Sequence, residues 1–297
     1  MTDGPAAPAR TMRVDAHHHL WPQPTQAEFP WMTDKLAAIR RPFRPDDLTP
    51  LLAAAHVDAT VLVQTRSSAD ETEVFLAIAA AYPFVAGVVG WLDLTSTGVA
   101  EEIERLRDVP GGDRLVGIRH QVHDEPDPDW LRRADVRRGI AAVGSAGLRY
   151  ELLVRTRELP AAADTASALP NVRFVLDHLA KPPIAAGGDG LAAWAHAIRL
   201  LAGSPNVVAK VSGLVAEADW SSWTVDDLVG PVRVALDAFG PDRLLFGSDW
   251  PVCLVAASYA RVVEATAAAL SAAGTDKAER GRIFGPNAVA AYDLRLG

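Results

Sequence analysis

The sequence predicts a single α/β domain, a closed (β/α)8 TIM barrel with a C-terminal helical extension. Short, β-prone apolar runs alternate with longer, alanine-rich amphipathic runs along almost the whole chain. The length of 297 residues suits one large barrel. Strict alternation also predicts parallel strands joined by right-handed crossovers. An open doubly wound sheet is the alternative, but it normally has a glycine-rich turn after its first strand, where residues 17–21 here read HHHLW.

Eight runs are predicted to form strands because branched and other apolar residues are concentrated in them. These strands are predicted at residues 12–17, 60–64, 85–92, 115–120, 148–154, 172–177, 207–211 and 244–247. Apolar residues at helical spacing predict the helices that follow them. These helices are predicted at residues 48–56, 71–82, 99–106, 129–143, 159–169, 191–201, 225–239 and 259–273.

The two ends of the chain differ from this repeating part. Residues 1–12 are small and rich in proline and alanine, which predicts a disordered tail. No linker rich in Ser, Gly or Pro divides residues 13–297, so they are predicted to form one barrel domain. Residues 277–294 predict additional helix packed on the barrel, interrupted at Gly285 and Pro286.

Composition excludes several classes of function. Lys and Arg total 29 against 37 Asp and Glu, which gives a net charge of −8. An acidic protein is a poor binder of nucleic acid or of anionic membrane surfaces, since both require a positive field. The single cysteine, Cys253, cannot form an internal disulfide, and no apolar run of about 18 residues predicts a membrane span. The N-terminal residues carry no signal-peptide pattern, and these observations together predict a cytoplasmic protein.

Candidate catalytic residues follow the predicted strands, where barrel enzymes place their active sites. His17 and His19 are two residues apart at the end of the first strand, so both project to the same side. His178 follows the sixth strand, and Asp249 follows the eighth. Imidazoles and a carboxylate that meet at one rim can polarise a carbonyl, activate water or hold a metal. We therefore predict that these four residues form one catalytic site.

Other residues near the strand ends are candidates for substrate binding. Their side chains offer hydrogen bonds, or in one case an aromatic wall for a sugar ring. The candidates are Gln64, Arg66, Arg119, His120, Lys181 and Trp31. Salt bridges to Asp70 or Glu71 are the alternative for the basic residues, solvation is the alternative for Lys181, and packing of the first loop is the alternative for Trp31. His123 is expected in an exposed loop, because acidic residues surround it.

Five motifs resemble those of the amidohydrolase superfamily, in their order along the chain. They are DAHHHLW at 15–21, GIRH at 117–120, FVLDHLAKP at 174–182, KVSGL at 210–214 and FGSDWP at 246–251. The chain is similar to the amidohydrolase-related branch that includes sugar-acid lactonases, such as L-fuconolactonase and L-rhamnonolactonase, and 2-pyrone-4,6-dicarboxylate lactonase. This resemblance implies a barrel that hydrolyses a cyclic ester. It matches His17 and His19 to the first-strand pair, His178 to the sixth-strand histidine and Asp249 to the eighth-strand aspartate.

The same resemblance bears on the metal. Binuclear members carry a carboxylated lysine or a glutamate on strand four, and mononuclear members usually add a strand-five histidine. Residues 115–120 and 148–154 supply neither. His17, His19 and Asp249 still provide three ligands, which is the usual minimum for catalytic zinc, and Glu151 is a candidate replacement for the missing one. We therefore predict either no required cofactor or a single, weakly held Zn²⁺.

The leading functional hypothesis is hydrolysis of a lactone, and the mixed acidic and basic candidates favour the lactone of a sugar acid. Asp249 would deprotonate water, while His17, His19 and His178 stabilise the oxyanion. A metal-dependent decarboxylase of an aromatic or unsaturated acid is the alternative, and it requires a firmly held metal. A non-catalytic binding barrel is the third hypothesis. The expected partner is the small-molecule lactone, and a homodimer is left open.

Overall fold

A computed structural model describes residues 11–25 and 27–296, and it shows the predicted barrel. Eight strands form one sheet in sequence order, and each strand pairs in parallel with the next. The sheet nearly closes where β1 meets the segment after β8, with His18 bridged to Trp250. The strands are β1 (Val14–His18), β2 (Ala59–Val63), β3 (Val85–Gly90), β4 (Leu115–His120), β5 (Arg149–Leu152), β6 (Phe174–Leu176), β7 (Val207–Val211) and β8 (Leu244–Phe246). Most of the predicted tail, residues 1–10, lies outside the described residues.

Helices follow the strands, as predicted, with boundaries that shift by a few residues. They are α1 (Pro45–Ala55), α2 (Ala69–Ala81), α3 (Val99–Arg107), α4 (Ala134–Ser145), α5 (Leu159–Ala168), α6 (Gly188–Ala202), α7 (Leu214–Glu217), α8 (Val225–Phe239), α9 (Tyr259–Ala272), α10 (Lys277–Ile283) and α11 (Pro286–Tyr292). The helix predicted at 129–143 is wrong at its start, because Arg133 is extended and separates a 3-10 turn, Trp130–Arg132, from α4. Over residues 11–25 and 27–296, no helix is both long and apolar enough to cross a membrane.

The main core lies between the strands and the helices around them. Leu62 of β2 and Ile118 of β4 are fully buried in it, together with Leu76 of α2 and Ile140 of α4. Complete burial of such a side chain stabilises the fold by about 1.5–3 kcal/mol. This layer fixes the strands and therefore the positions of the residues that follow them.

The C-terminal extension covers the end of the barrel at which the strands begin. Tyr292 and Leu294 belong to a second apolar cluster that includes Val14 at the start of β1. The Asn287 side chain donates to the carbonyl of Leu244, the first residue of β8, at 2.8 Å. Arg149, the first residue of β5, donates to the carbonyl of Ala291. The predicted extension is therefore two helices, α10 and α11, that close one end of the barrel.

Candidate active site

The four residues selected from the strand ends lie together at the open end of the barrel. His17 Nε2 is 3.1 Å from His19 Nε2. Asp249 Oδ1 is 3.4 Å from His19 Nε2, and 3.9 Å from the Nε2 atoms of both His17 and His178. All four side chains are buried, with at most 6% of each exposed. Three imidazoles therefore surround one carboxylate in a largely dry setting.

The backbone around these side chains adopts conformations that L-residues rarely take. Asp249 has φ of 56°, and His178 begins a run of four left-handed residues that ends at Lys181. Gly213 permits this arrangement, because a Cβ at that position would lie 2.7 Å from His178 Nδ1. Gly247 likewise lets β8 approach β1, since its Cβ would lie 2.7 Å from that of His17. Strained backbone of this kind concentrates at functional sites.

Burial and neighbouring charges give these groups their protonation states. Burial opposes ionisation of Asp249, but His178 and His19 outweigh it and lower the pKa of the carboxyl below its usual value. Burial lowers the pKa of His178 to about 4. Burial and then Lys210 lower the pKa of His17 well below its usual value. At neutral pH the site therefore combines an ionised carboxylate with at least two neutral imidazoles.

A layer of paired charges lies beneath the site. Lys210 Nζ is 2.7 Å from Glu151 Oε1 and 3.0 Å from Asp177 Oδ1, and Arg119 Nη1 is 2.8 Å from Asp177 Oδ2. Burial opposes the charge of Asp177, but Lys210 and other neighbours hold its pKa well below the usual range. Burial and the charge of Asp177 raise the pKa of Glu151. Two cations and two carboxylates thus pair in the barrel core, while Arg119 Nε, Glu151 Oε2 and Asp177 Oδ1 have no hydrogen-bond partner among the described residues.

Three of the four candidate residues, His19, His178 and Asp249, line a cavity of about 460 Å³, and His17 is fully buried next to them. Its walls combine charged, amide and apolar groups. They include Gln121, Asp124, Arg155, Glu217, Trp220 and Val255. A cavity of this size accommodates a small polar ligand.

The structure divides the six predicted substrate-binding residues into three groups. Arg119, Lys181 and Trp31 line this cavity, so their proposed role agrees with their position and stays a prediction. Gln64 is fully buried, and its side chain contacts Arg119 at 3.3–3.4 Å. Gln64 does not line the cavity, so the prediction of a direct substrate contact does not fit its position; its side chain contacts Arg119 instead.

Arg66 and His120 line a neighbouring cavity of about 450 Å³ instead. Arg66 pairs with Glu71 at 3.2 Å and with Glu28 at 3.4 Å, which corresponds to the salt-bridge alternative. His120 accepts a hydrogen bond from Trp91 at 3.0 Å, and its Nε2 is 2.7 Å from Glu125. These protein partners occupy the groups that were expected to bind substrate.

Several cavity residues were not identified from the sequence. His123 was expected to be exposed, but it is half-buried and lines the cavity, and burial lowers its pKa to about 3. Its position just after β4 was the signal that could have identified it. Arg155 and Glu217 also line the cavity and lie 3.3 Å apart. Glu217 lies in α7, a short helix that was not predicted.

Comparison with known proteins identifies the family. The family model described as amidohydrolase matches residues 14–294, which is nearly the whole described chain. The chain belongs to the amidohydrolase family. This result confirms the family that the five motifs predicted, and with it the expectation of an enzyme.

Three relatives of this amidohydrolase are especially similar. A curated L-fucono-1,5-lactonase from Burkholderia multivorans is 39% identical over 294 residues, covering 95% of this chain and 96% of the relative. A second L-fucono-1,5-lactonase, from Burkholderia ambifaria, is 41% identical over 252 residues, covering 84% and 83%. A solved amidohydrolase from Burkholderia multivorans with bound zinc is 38% identical, with a TM-score of 0.90 and coverage of 96% of this chain and 100% of that one.

The amidohydrolase has a cluster whose geometry fits a single cation. His17, His178 and Asp249 each place one ligand atom within 4.8 Å of the others. His19 adds a nitrogen 3.4 Å from Asp249 Oδ1. Imidazole nitrogens with a carboxylate oxygen are ordinary zinc ligands. The donor set therefore fits one divalent metal.

Cations of the protein itself oppose ligation by one member of this cluster. Lys210 Nζ is 3.0 Å from His17 Nδ1, and Arg119 Nη1 is 3.3 Å from His17 Nε2. A ligating histidine ordinarily donates its second nitrogen to an acceptor, which an ammonium group cannot be. Glu151, the candidate replacement ligand, pairs with Lys210 instead. His17 is therefore the weakest ligand of the set.

Proposed function

We propose that this amidohydrolase opens the ring of a sugar-acid lactone. The observation that carries the proposal is the ionised, buried Asp249 carboxylate, 3.4–3.9 Å from three imidazoles at the edge of a cavity of about 460 Å³. Two relatives that share most of the chain are named L-fucono-1,5-lactonase, and this supports a lactone as the substrate.

Asp249 acts as the general base in this proposal. Its carboxylate takes a proton from water while the water oxygen attacks the lactone carbonyl carbon. The carbonyl oxygen becomes an oxyanion that His178 and His17, both beside Asp249, stabilise together with Arg119, which also lines the cavity. The carbon–ring-oxygen bond then breaks, and the ring oxygen receives the proton held by Asp249. The product is an open-chain hydroxy acid, and the base is regenerated.

The charges that line the cavity favour a neutral, polyhydroxylated lactone over a dicarboxylate. A dicarboxylate requires a cluster of unpaired cations. Lys181 and Arg155 both lie near Glu217, at 3.6 Å and 3.3 Å. Asp124 adds a further acidic group to the wall. The paired charges suit sugar hydroxyls, which both donate and accept hydrogen bonds.

We further propose that a metal is not required, although one Zn²⁺ can be held weakly. His17, His19, His178 and Asp249 are the residues that would hold it. When bound, it would polarise the carbonyl and lower the pKa of water. A decarboxylase of this family requires a firmly held metal, so the cations around His17 count against that alternative.

A substrate panel tests the proposal. Purified enzyme is mixed with L-fucono-1,5-lactone, other aldono-1,5-lactones and 2-pyrone-4,6-dicarboxylate, and proton release is followed with a pH indicator. Rapid release from an aldonolactone, absent with Asp249→Asn, is the expected result. No turnover of any lactone, together with CO₂ release from an aromatic acid in the presence of zinc, would overturn it in favour of the decarboxylase.

A further inference from the structure

We propose that Lys210 fixes the tautomer of His17, placing its proton on Nε2. His17 then offers the site a hydrogen-bond donor rather than the lone pair that a metal requires. Lys210 is thus a positioning residue that favours hydrolysis without metal. The catalytic consequence rests on the proposed lactonase function, whereas the tautomer itself follows from contacts among the buried side chains.

The ammonium group of Lys210 determines which nitrogen of His17 accepts a hydrogen bond. An ammonium group donates and never accepts. Its Nζ lies 2.7 Å from Glu151 Oε1, 3.0 Å from Asp177 Oδ1 and 3.0 Å from His17 Nδ1. The side chain is fully buried, so these groups form its immediate polar surroundings. The contacts with Glu151 and His17 have hydrogen-bond geometry, and the contact with Asp177 is an ion pair. Because Lys210 can only donate to His17, Nδ1 accepts and Nε2 carries the proton of the neutral ring.

His19, on the opposite side of the His17 ring, favours the same tautomer independently of Lys210. His19 Nδ1 lies 2.7 Å from the carbonyl oxygen of Val63, which can only accept. His19 Nε2 also lies 3.4 Å from Asp249 Oδ1, but the contact of Nδ1 with Val63 is much shorter. We therefore place the proton of a neutral His19 ring on Nδ1, which leaves a lone pair at Nε2. That lone pair lies 3.1 Å from His17 Nε2, so the proton between the two rings belongs to His17. The shortest contact at each ring nitrogen, with Lys210 at Nδ1 and with His19 at Nε2, therefore favours a proton on Nε2.

The opposite tautomer uses longer contacts. His17 Nδ1 would donate to Asp177 Oδ1 at 3.4 Å, and Arg119 would donate to His17 Nε2 at 3.3 Å. The Nε2 lone pairs of His17 and His19 would then face each other at 3.1 Å. A cation between them, or a shift of the His19 proton from Nδ1 to Nε2 with loss of its hydrogen bond to Val63, would relieve that repulsion. A metal can therefore bind His17 only if this less favourable arrangement is adopted.

The assignment has a direct consequence for the site. The His17 Nε2 proton lies next to Asp249, whose Oδ1 is 3.9 Å away. At rest this proton is donated to His19 Nε2, and in the proposal it is redirected to the oxyanion of an entering lactone without a change of tautomer. Loss of Lys210 would release this constraint, and so it would weaken donation and strengthen metal binding at the same time.

Nitrogen NMR of the intact enzyme tests the tautomer. The protein is labelled with ¹⁵N-histidine and treated with chelator, and His17→Asn and His19→Asn spectra assign the ring signals. We expect His17 to be protonated at Nε2 and His19 at Nδ1. A His17 ring protonated at Nδ1 would overturn the proposal.

Zinc affinity tests the role of Lys210. Lys210→Met is compared with the exposed control Lys277→Met by competition with a fluorescent chelator, after circular dichroism has shown that each is folded. Because second-shell partners typically change metal affinity by about 10- to 100-fold, we expect tightening of that size for Lys210→Met alone. Equal affinities would contradict the proposal. If Lys210→Met does not fold, the wild-type NMR result decides.

Two further measurements locate the effect. Zinc bound in the active site should be lost when His178→Asn is added to Lys210→Met, whereas zinc bound by Glu151 and Asp177 would persist and would count against the proposal. In metal-free enzyme, Lys210→Met should lower kcat more than it raises KM. The NMR and zinc measurements need no substrate. A chain with the expected tautomer that opens no lactone would therefore overturn the proposed function and leave the assignment of Lys210 intact.

Discussion

The two ends of the barrel differ in the hydrogen-bond partners of their polar side chains. At the closed end, Arg149 pairs with Asp293, and the Asn287 side chain donates to two carbonyl oxygens at 2.8 Å. At the open end, the Nε2 atom of His178 is 3.9 Å from the Asp249 carboxylate, too far for a hydrogen bond. These polar groups at the closed end have protein partners, whereas His178 Nε2 and Asp249 at the open end line a cavity. The difference separates groups that stabilise the fold from groups available to a ligand.

The buried charges connect these two ends. The Tyr292 hydroxyl of α11 donates to Glu151, which pairs with Lys210, and Lys210 contacts His17. The helix that closes the barrel thus reaches the active site through three side chains. Its hydrogen bond helps to hold the carboxylate that positions Lys210.

The largest effect should come from replacing one aspartate by asparagine at each end of the barrel and comparing the two variants. Asp249→Asn should lower kcat by about 10²–10⁴-fold, because an amide cannot accept a proton from water at neutral pH. Asp293→Asn, at the closed end, should leave kcat unchanged. Initial rates on an aldonolactone measure both variants, after circular dichroism has confirmed their folding. Near wild-type turnover by Asp249→Asn would remove this residue from the mechanism.

The next largest effect concerns the histidines of the open end. His178→Asn and His17→Asn should each lower kcat by about 10²–10³-fold, since each removes a donor to charge that develops only in the transition state. KM should change less than kcat. Full kinetic curves distinguish the two parameters. An increase in KM alone would assign these residues to ground-state binding.

The sequence was informative wherever one strand determined a residue's position. The repeating pattern predicted all eight strands, because apolar runs of this kind are buried on both faces in parallel sheets. His17, His178 and Asp249 could be placed at one rim, because each lies at or within three residues of the end of a strand that faces that rim. The fold alone brings such residues together.

Residues whose position depends on loops and on side-chain pairing could not be assigned in this way. Gln64 follows β2, as expected, but it turns to Arg119 and not to the cavity. Glu217 reaches the cavity through a short helix without a clear sequence signal. The contact of Lys210 with His17 joins residues 193 positions apart, and its chemistry depends on tenths of an ångström. Spacing along a single sequence carries no such information.

The closed end should respond in stability and not in activity. Asn287→Ala removes two donors to the carbonyls of Pro241 and Leu244. Leaving buried acceptors without partners typically costs about 1–3 kcal/mol, so we expect a lower Tm and an unchanged kcat. Thermal unfolding and lactone turnover measure the two properties separately. A loss of kcat in the folded Asn287→Ala variant would show that side chains at the closed end also affect catalysis at the open end.

The pH profile should distinguish the protonation states assumed for the open end. The lowered pKa of Asp249 and the pKa of His178 of about 4 keep the base ionised and the imidazole neutral at higher pH. Activity should therefore be flat from about pH 8 to about pH 5, and should fall only as the pH passes through these lower values. Rates corrected for spontaneous hydrolysis measure the profile. An inflection near the usual histidine pKa would contradict the assignment.

Chelation should have the smallest effect. Lys210 and Arg119 lie 3.0 Å and 3.3 Å from the two nitrogens of His17, which makes this residue a poor ligand. Strand four offers no carboxylate in LVGIRH, and Glu151 of β5 is paired with Lys210. Since lactones are activated esters, the oxyanion donors of the protein should suffice for their hydrolysis. We therefore expect wild-type kcat to persist after dialysis against chelator, with residual metal measured by plasma emission spectroscopy. Complete loss of lactone turnover, restored in proportion to one added Zn²⁺ per chain, would show that a metal is essential and would contradict hydrolysis without metal.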